Sequence, residues 1–150
     1  MMSLKQKTKK TWLLSLLSFC VLSVSLAYAW LRQPYTYPAA QEVTHQFMQL
    51  LRQQHYAEAF NLMAKPNLIG DTPQALAERA QSECLDDQNF MSASPPQTRG
   101  NRLRRWFKNQ PLDQTKINLE FAHHTCLLGV QLLKNKQGEW RILRFGLHAG

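Results

Sequence analysis

Six glycines in 150 residues leave few tight turns, and none of them builds a phosphate-cradling loop or a Gly-x-Ser-x-Gly nucleophile elbow. A paired-histidine metal motif is missing as well. The sequence therefore nominates no catalytic residue, no cofactor and no metal, and a non-catalytic role is favoured. Cysteine is equally sparse: Cys20 lies in an apolar leader, which leaves Cys84 and Cys126 for the rest of the chain. In an oxidising compartment those two can close a loop that stabilises by about 3 to 4 kcal/mol, where the fold brings them within bridging range. Two buried free thiols are the other reading.

Acid is absent from residues 1 to 32, which carry Lys5, Lys7, Lys9, Lys10 and Arg32. That segment supplies +5 of the formal +8 and leaves 13 bases against 10 acids beyond it. The remainder is ordinary for a soluble domain, so nucleic acid is not expected as a partner. It is uneven, however. Residues 33 to 98 have net charge −4 and residues 99 to 150 net +7, which suggests a polar or acidic partner for the second half.

What is present in strength is one apolar run. Thr11 to Leu31 holds no charge and is interrupted only by Thr11, Ser15, Ser18, Ser23 and Ser25. As a helix it is about 31 Å long, close to the hydrocarbon thickness of a bilayer. Trp12 and Trp30 stand at its two ends, where indoles prefer the headgroup level. Residues 1 to 10 are basic, so the positive-inside tendency keeps them in the cytoplasm and places the chain beyond Arg32 in the periplasm. The expected location is the inner membrane, single pass.

The same stretch also offers the parts of a cleavable secretory signal: a basic start, an apolar core from Trp12 to Leu26, and the small-x-small pattern Ala27-Tyr28-Ala29. Cleavage after Ala29 would release a secreted or periplasmic protein. The anchor is favoured because the apolar run continues through Trp30 and Leu31. A lipid attached at Cys20 is excluded by Phe19, which stands where a small residue is needed.

About 115 residues remain, one domain's worth of core. Residues 32 to 38, with two prolines and two tyrosines, read as an extended tether whose tyrosines lie at the membrane interface. The domain is expected over 39 to 150. Val43, Phe47, Leu50 and Leu51 form a helical stripe that loses phase at Gln53-Gln54-His55 and resumes as Tyr56, Ala59, Phe60 and Met63. Thr72-Pro73 starts a third helix with Leu76, Ala80 and Cys84 on its inner face. Asp86 to Pro96 is expected to be irregular. Beyond Gly100 the pattern turns to strands: Leu103 to Lys108 leans that way, Ile117 to Phe121 alternates, Thr125 to Leu133 follows, and Asn135 to Gly138 connects to a return over Glu139 to Leu147. Three helices followed by an antiparallel meander make an α+β order.

That order, with Phe47-x-x-Leu50-Leu51 leading through a short turn to Tyr56-Ala57-Glu58-Ala59-Phe60, and with Gly138-Glu139-Trp140-Arg141-Ile142 in the last hairpin, resembles the nuclear-transport-factor-two-like superfamily over about residues 41 to 147. The resemblance implies a cone, with a curved sheet wrapped on the helices. It transfers no site residue.

Two groups carry candidate chemistry. Arg99, Arg102, Arg104, Arg105 and Lys108, interleaved with Trp106 and Phe107, form a possible interaction patch for a partner protein or an anionic surface. Pairing with the acidic stretch Asp71 to Asp87 would instead make the patch structural. His123-His124-x-Cys126 has metal-ligand types, but His45, His55 and His148 are not spaced to complete a zinc set, so exposed strand histidines are favoured. Asp113 and Glu120, the carboxylates nearest the strands, are not nominated as catalytic. The expected role is a membrane-anchored periplasmic accessory or protein-binding module, through an envelope partner or self-association. A small-molecule-binding or enzymatic cone is the alternative, distinguished by an internal pocket with converging polar groups.

Overall fold

In the computed structural model of the chain, Leu4–Arg32 forms one unbroken helix, α1. The structure describes residues 4–83, 85, 89–123 and 126–147, with backbone alone at 4–11, 13, 14, 123 and 147. Within its apolar stretch the Ser23 and Ser25 hydroxyls each return a 2.8 Å hydrogen bond to the carbonyl four residues back, which lets a helix carry them in lipid.

The domain is α+β. Helices α2 (Pro38–Arg52), α3 (Tyr56–Asn61) and α4 (Pro73–Gln81) precede strand β1 (Asn89–Ser94), helix α5 (Arg99–Phe107) and strands β2 (Lys116–His123), β3 (Cys126–Lys134) and β4 (Trp140–Leu147). The four strands form one antiparallel sheet in the order β1-β2-β3-β4.

One face of that sheet and the inner stripes of the helices make the core. Ile117, Leu119 and Phe121 on β2 stand opposite Leu132, Val130 and Leu128 on β3, and all six are buried with Phe47 and Leu51 of α2, Ala59 of α3 and Leu76 of α4. An irregularity at Gln131/Leu132 shifts the β3–β4 register, so Ile142 and Phe145, three residues apart, both turn inward. The outer edge of β4 is closed by the segment after α3: Ala64 N–H donates to Ile142 O at 2.7 Å and Leu68 N–H to Leu143 O at 2.9 Å.

Several expectations are corrected. The segment between α1 and α2 lies against the domain: Tyr35 N–H donates to Gln97 O and Arg99 N–H to Gln33 O. Tyr37 lies in the core, not at the membrane interface, because its left-handed backbone (φ 52°) swings the ring inward as Pro38 starts α2. The segment from Asp86 to Pro96 contains a strand, β1, whose polar residues hide it in the sequence and whose backbone bonds come from β2. Leu103 to Lys108 is helical up to Phe107. Thr98 caps that helix, accepting from Asn101 N–H at 3.2 Å, and Leu103, Trp106 and Phe107 keep the i, i+3, i+4 spacing of one face. The third helix ends at Gln81, and Cys84 lies outside the described residues.

Candidate functional site

The end of α1, the segment 33–37 and α5 come together at one corner of the domain. A Cβ on Gly100 would stand 3.1 Å from the Leu31 carbonyl oxygen, so the bare glycine lets α5 lie directly against the last turn of α1. Pro34 pairs with Thr98 in an antiparallel bridge beside that contact. Cations then cover the aromatic rings of the junction. The Arg99 guanidinium is 5.2 Å from the Trp30 ring centre, and that of Arg102 is 3.7 Å from the Tyr35 ring centre.

The basic patch thus falls on a helix, and its members divide into two kinds. Arg102 forms an ion pair with Asp113, whose other oxygen accepts from Lys134 at 2.7 Å; this carboxylate is only 13% exposed. Arg102 is therefore engaged in holding α5 to the sheet. Arg104 donates to Asn101 Oδ1 and Arg105 to the Pro111 carbonyl, each at 3.3 Å. Among the described residues no carboxylate pairs with Arg99, Arg104, Arg105 or Lys108.

Beside these cations α5 shows apolar surface. Trp106 is 61% and Phe107 71% exposed, with ring centres 5.0 Å apart, and Leu103 is partly open. An open groove of about 430 Å³ runs between α5 and α1, lined by Trp30, Tyr35, Arg99, Arg102, Leu103 and Trp106. An apolar floor under guanidinium groups suits an amphiphile with an anionic head. A second groove, of about 570 Å³, is lined by Lys65, Lys134, Lys136 and Arg141. Arg141 there is drawn to Glu139 at 2.6 Å and to the Asn61 carbonyl at 2.8 Å. The hydrogen bonds from Arg141 and Asn135 hold the Glu139 carboxyl below its usual range.

The remaining sequence candidates are scattered. Trp12 is exposed toward the other end of α1. Cys126 is disulfide-bonded and Cys20 is free. His124, His148 and the side chain of His123 lie outside the described residues, as do Asp86 and Asp87 of the acidic stretch. Within that stretch Glu83 pairs with Arg79 at 2.6 Å. Glu120 accepts from the Ser92 hydroxyl at 2.6 Å. Sequence reasoning missed Tyr35, Leu103 and Asp113 as parts of the junction; the only advance signal was helical spacing across Leu103, Trp106 and Phe107. Against known protein families, curated proteins and solved structures the chain finds no match.

Proposed function

We propose that this chain is a single-pass, membrane-anchored, non-catalytic accessory module of the cell envelope, with residues 1 to 10 in the cytoplasm and the domain on the periplasmic side, where it engages an envelope protein. The observation that carries the proposal is the state of α1. None of its residues from Ser15 to Arg32 is buried by the described domain, which meets this stretch at its last turn, where α5 is fastened. An apolar helix of this length, uncovered by protein, is satisfied by lipid.

Two further features support the reading. The buried side chains of the sheet face and of the helices pack in one core cluster, and two carboxylates near the sheet are engaged: Asp113 with Arg102 and Lys134, Glu120 with Ser92. The bonded state of Cys126 fits an oxidising compartment, and with Cys20 free its proposed partner is Cys84. We read the domain as a cone of the nuclear-transport-factor-two-like kind, supported by helices that precede a meander and pack on one face of it.

Mass measurement of the protein from membrane and soluble fractions tests the anchor. The full 17.4 kDa chain in the membrane is expected; a soluble protein that has lost its first 29 residues would refute the anchor. A carboxy-terminal alkaline phosphatase fusion should be active, and a silent one would reverse the orientation.

A further inference from the structure

We propose that α5, together with the last turn of α1, is an interfacial helix that binds anionic phospholipid headgroups in the leaflet on the domain's side of the membrane. The inference rests on the reading of α1 as a retained anchor and adds to it a ligand and a surface.

The position of α5 relative to α1 decides which of its faces meets the membrane. Gly100 of α5 lies against Leu31. Leu103 and Phe107 follow it at i+3 and i+7 on the same stripe, with Trp106 adjoining. The face that touches the end of the membrane helix therefore continues outward as Leu103, Trp106 and Phe107, all exposed. Trp30 of α1 lines the same groove as Trp106, so two indoles, the side chains that favour the headgroup level, border one groove at the end of α1.

Charge selects the lipid. Helix α5 carries four arginines and no acid, Lys108 caps its end, and Arg99, Arg104, Arg105 and Lys108 lack a carboxylate partner among the described residues. Aromatic and aliphatic residues beside a cluster of unpaired cations are the composition of helices that lie in the headgroup plane. Each such cation within reach of an anionic leaflet strengthens attachment by about fivefold. The groove between Trp30, Arg99 and Trp106 takes a headgroup phosphate against the Arg99 guanidinium, with acyl chain alongside α1. A protein partner on this face would need to displace that lipid.

For the test, the full chain is reconstituted in nanodiscs of phosphatidylcholine alone and of phosphatidylcholine with roughly one quarter phosphatidylglycerol. Trp106 emission, taken as the difference between the chain and its W106F variant, is followed as acyl-brominated lipid replaces its ordinary counterpart. Brominated phosphatidylglycerol should quench Trp106 severalfold more strongly than brominated phosphatidylcholine. R104Q/R105Q should erase that preference and R104K/R105K should keep it. High salt should weaken it in the unsubstituted chain, which removes dependence on any variant's folding. Trp106 emission that neither lipid quenches, as under a protein partner or in open water, overturns the proposal, and so does equal quenching by both lipids. The mass of the reconstituted chain separates this outcome from the fate of the anchor. A chain lacking its first 29 residues refutes the anchor, and the same brominated lipids in vesicles then decide the lipid site on the mature protein.

Discussion

Asp113 accepts from Arg102 on α5 and from Lys134 at the end of β3, so a single carboxylate ties the junction helix to the sheet. Asn at this position keeps the shape and removes the charge, leaving two cations face to face in a half-buried site. D113N should lower stability by about 1 to 3 kcal/mol, read as an earlier midpoint in urea, with part of the loss recovered in high salt. An unchanged midpoint would mean that the ion triad does not hold α5. Tyr37 poses the opposite case. Its hydroxyl is buried without a hydrogen-bond partner among the described residues, and burial raises its pKa above the ordinary 10.0. Y37F should therefore be neutral or stabilising by up to about 1 kcal/mol. Because the folded state holds the phenolic proton more tightly than the unfolded chain, the stability tied to neutral Tyr37 is full below pH 10.0 and is lost as pH rises past it. Melts across that range should show a flatter alkaline decline for Y37F than for the unsubstituted chain. Neither residue's role was legible in the sequence. Asp113 gains its meaning from Arg102 and Lys134, which only the fold brings to it, and Tyr37 looked like linker because its neighbours are prolines.

Helix α5 shows why one element was misjudged while others were not. The stripes Val43 to Leu51 and Tyr56 to Met63, and the alternation Ile117 to Phe121, each bury a face against the core, so their periodicity could be read without the structure. α5 buries no residue fully. With no core face to impose a period, its arginines and aromatics were compatible with an exposed strand, and the deciding information was its cap. T98A removes the hydroxyl that accepts from Asn101 N–H and should cost about 1 kcal/mol, seen as faster amide exchange over 101 to 107 with the sheet unaffected. Gly100 tests the contact with α1 independently. A leucine there must push α5 away from Leu31, since even a Cβ sits 3.1 Å from that carbonyl. In G100L the amides of Tyr35 and Arg99, which bond to Gln97 O and Gln33 O, should exchange faster while the core strands remain protected. Equal exchange in the two chains would show that α5 and α1 do not depend on this approach. β1 escaped sequence reading for a related reason, being a short edge strand whose apolar Phe90 and Met91 stand among Asn89, Ser92, Ala93 and Ser94 and whose order comes from β2.

Across the whole molecule, the leader and the domain behave as connected parts because residues 33 to 35 pair with 97 to 99, a contact between segments far apart in the chain. The leader's length and basic start were visible from the sequence, whereas this contact was not, since no local pattern encodes a pairing over such a separation. The unequal charge of the two halves acquires a place in the same way: four of the six arginines of the second half collect on α5 beside the end of α1, rather than against the described acids of the first half. A disulfide from Cys126 adds a second long-range link, and with Cys84 as partner it closes a loop that contains all of α5. Reduction, or the C84S/C126S variant, should lower stability by about 3 to 4 kcal/mol, measured as the urea midpoint with and without reductant, and neither thiol should take up a label before reduction. Labelling without reductant would remove the support that this bond gives to an oxidising compartment and leave the orientation resting on α1. The two links are separable, because the α1–α5 contact involves Leu31, Pro34, Thr98 and Gly100, whereas Cys126 lies on β3. A reduced chain should thus lose midpoint stability yet keep its lipid-dependent Trp106 quenching below that midpoint, whereas joint loss of both would mean that α5 is held at the membrane by the closed loop and not by its own contact with α1.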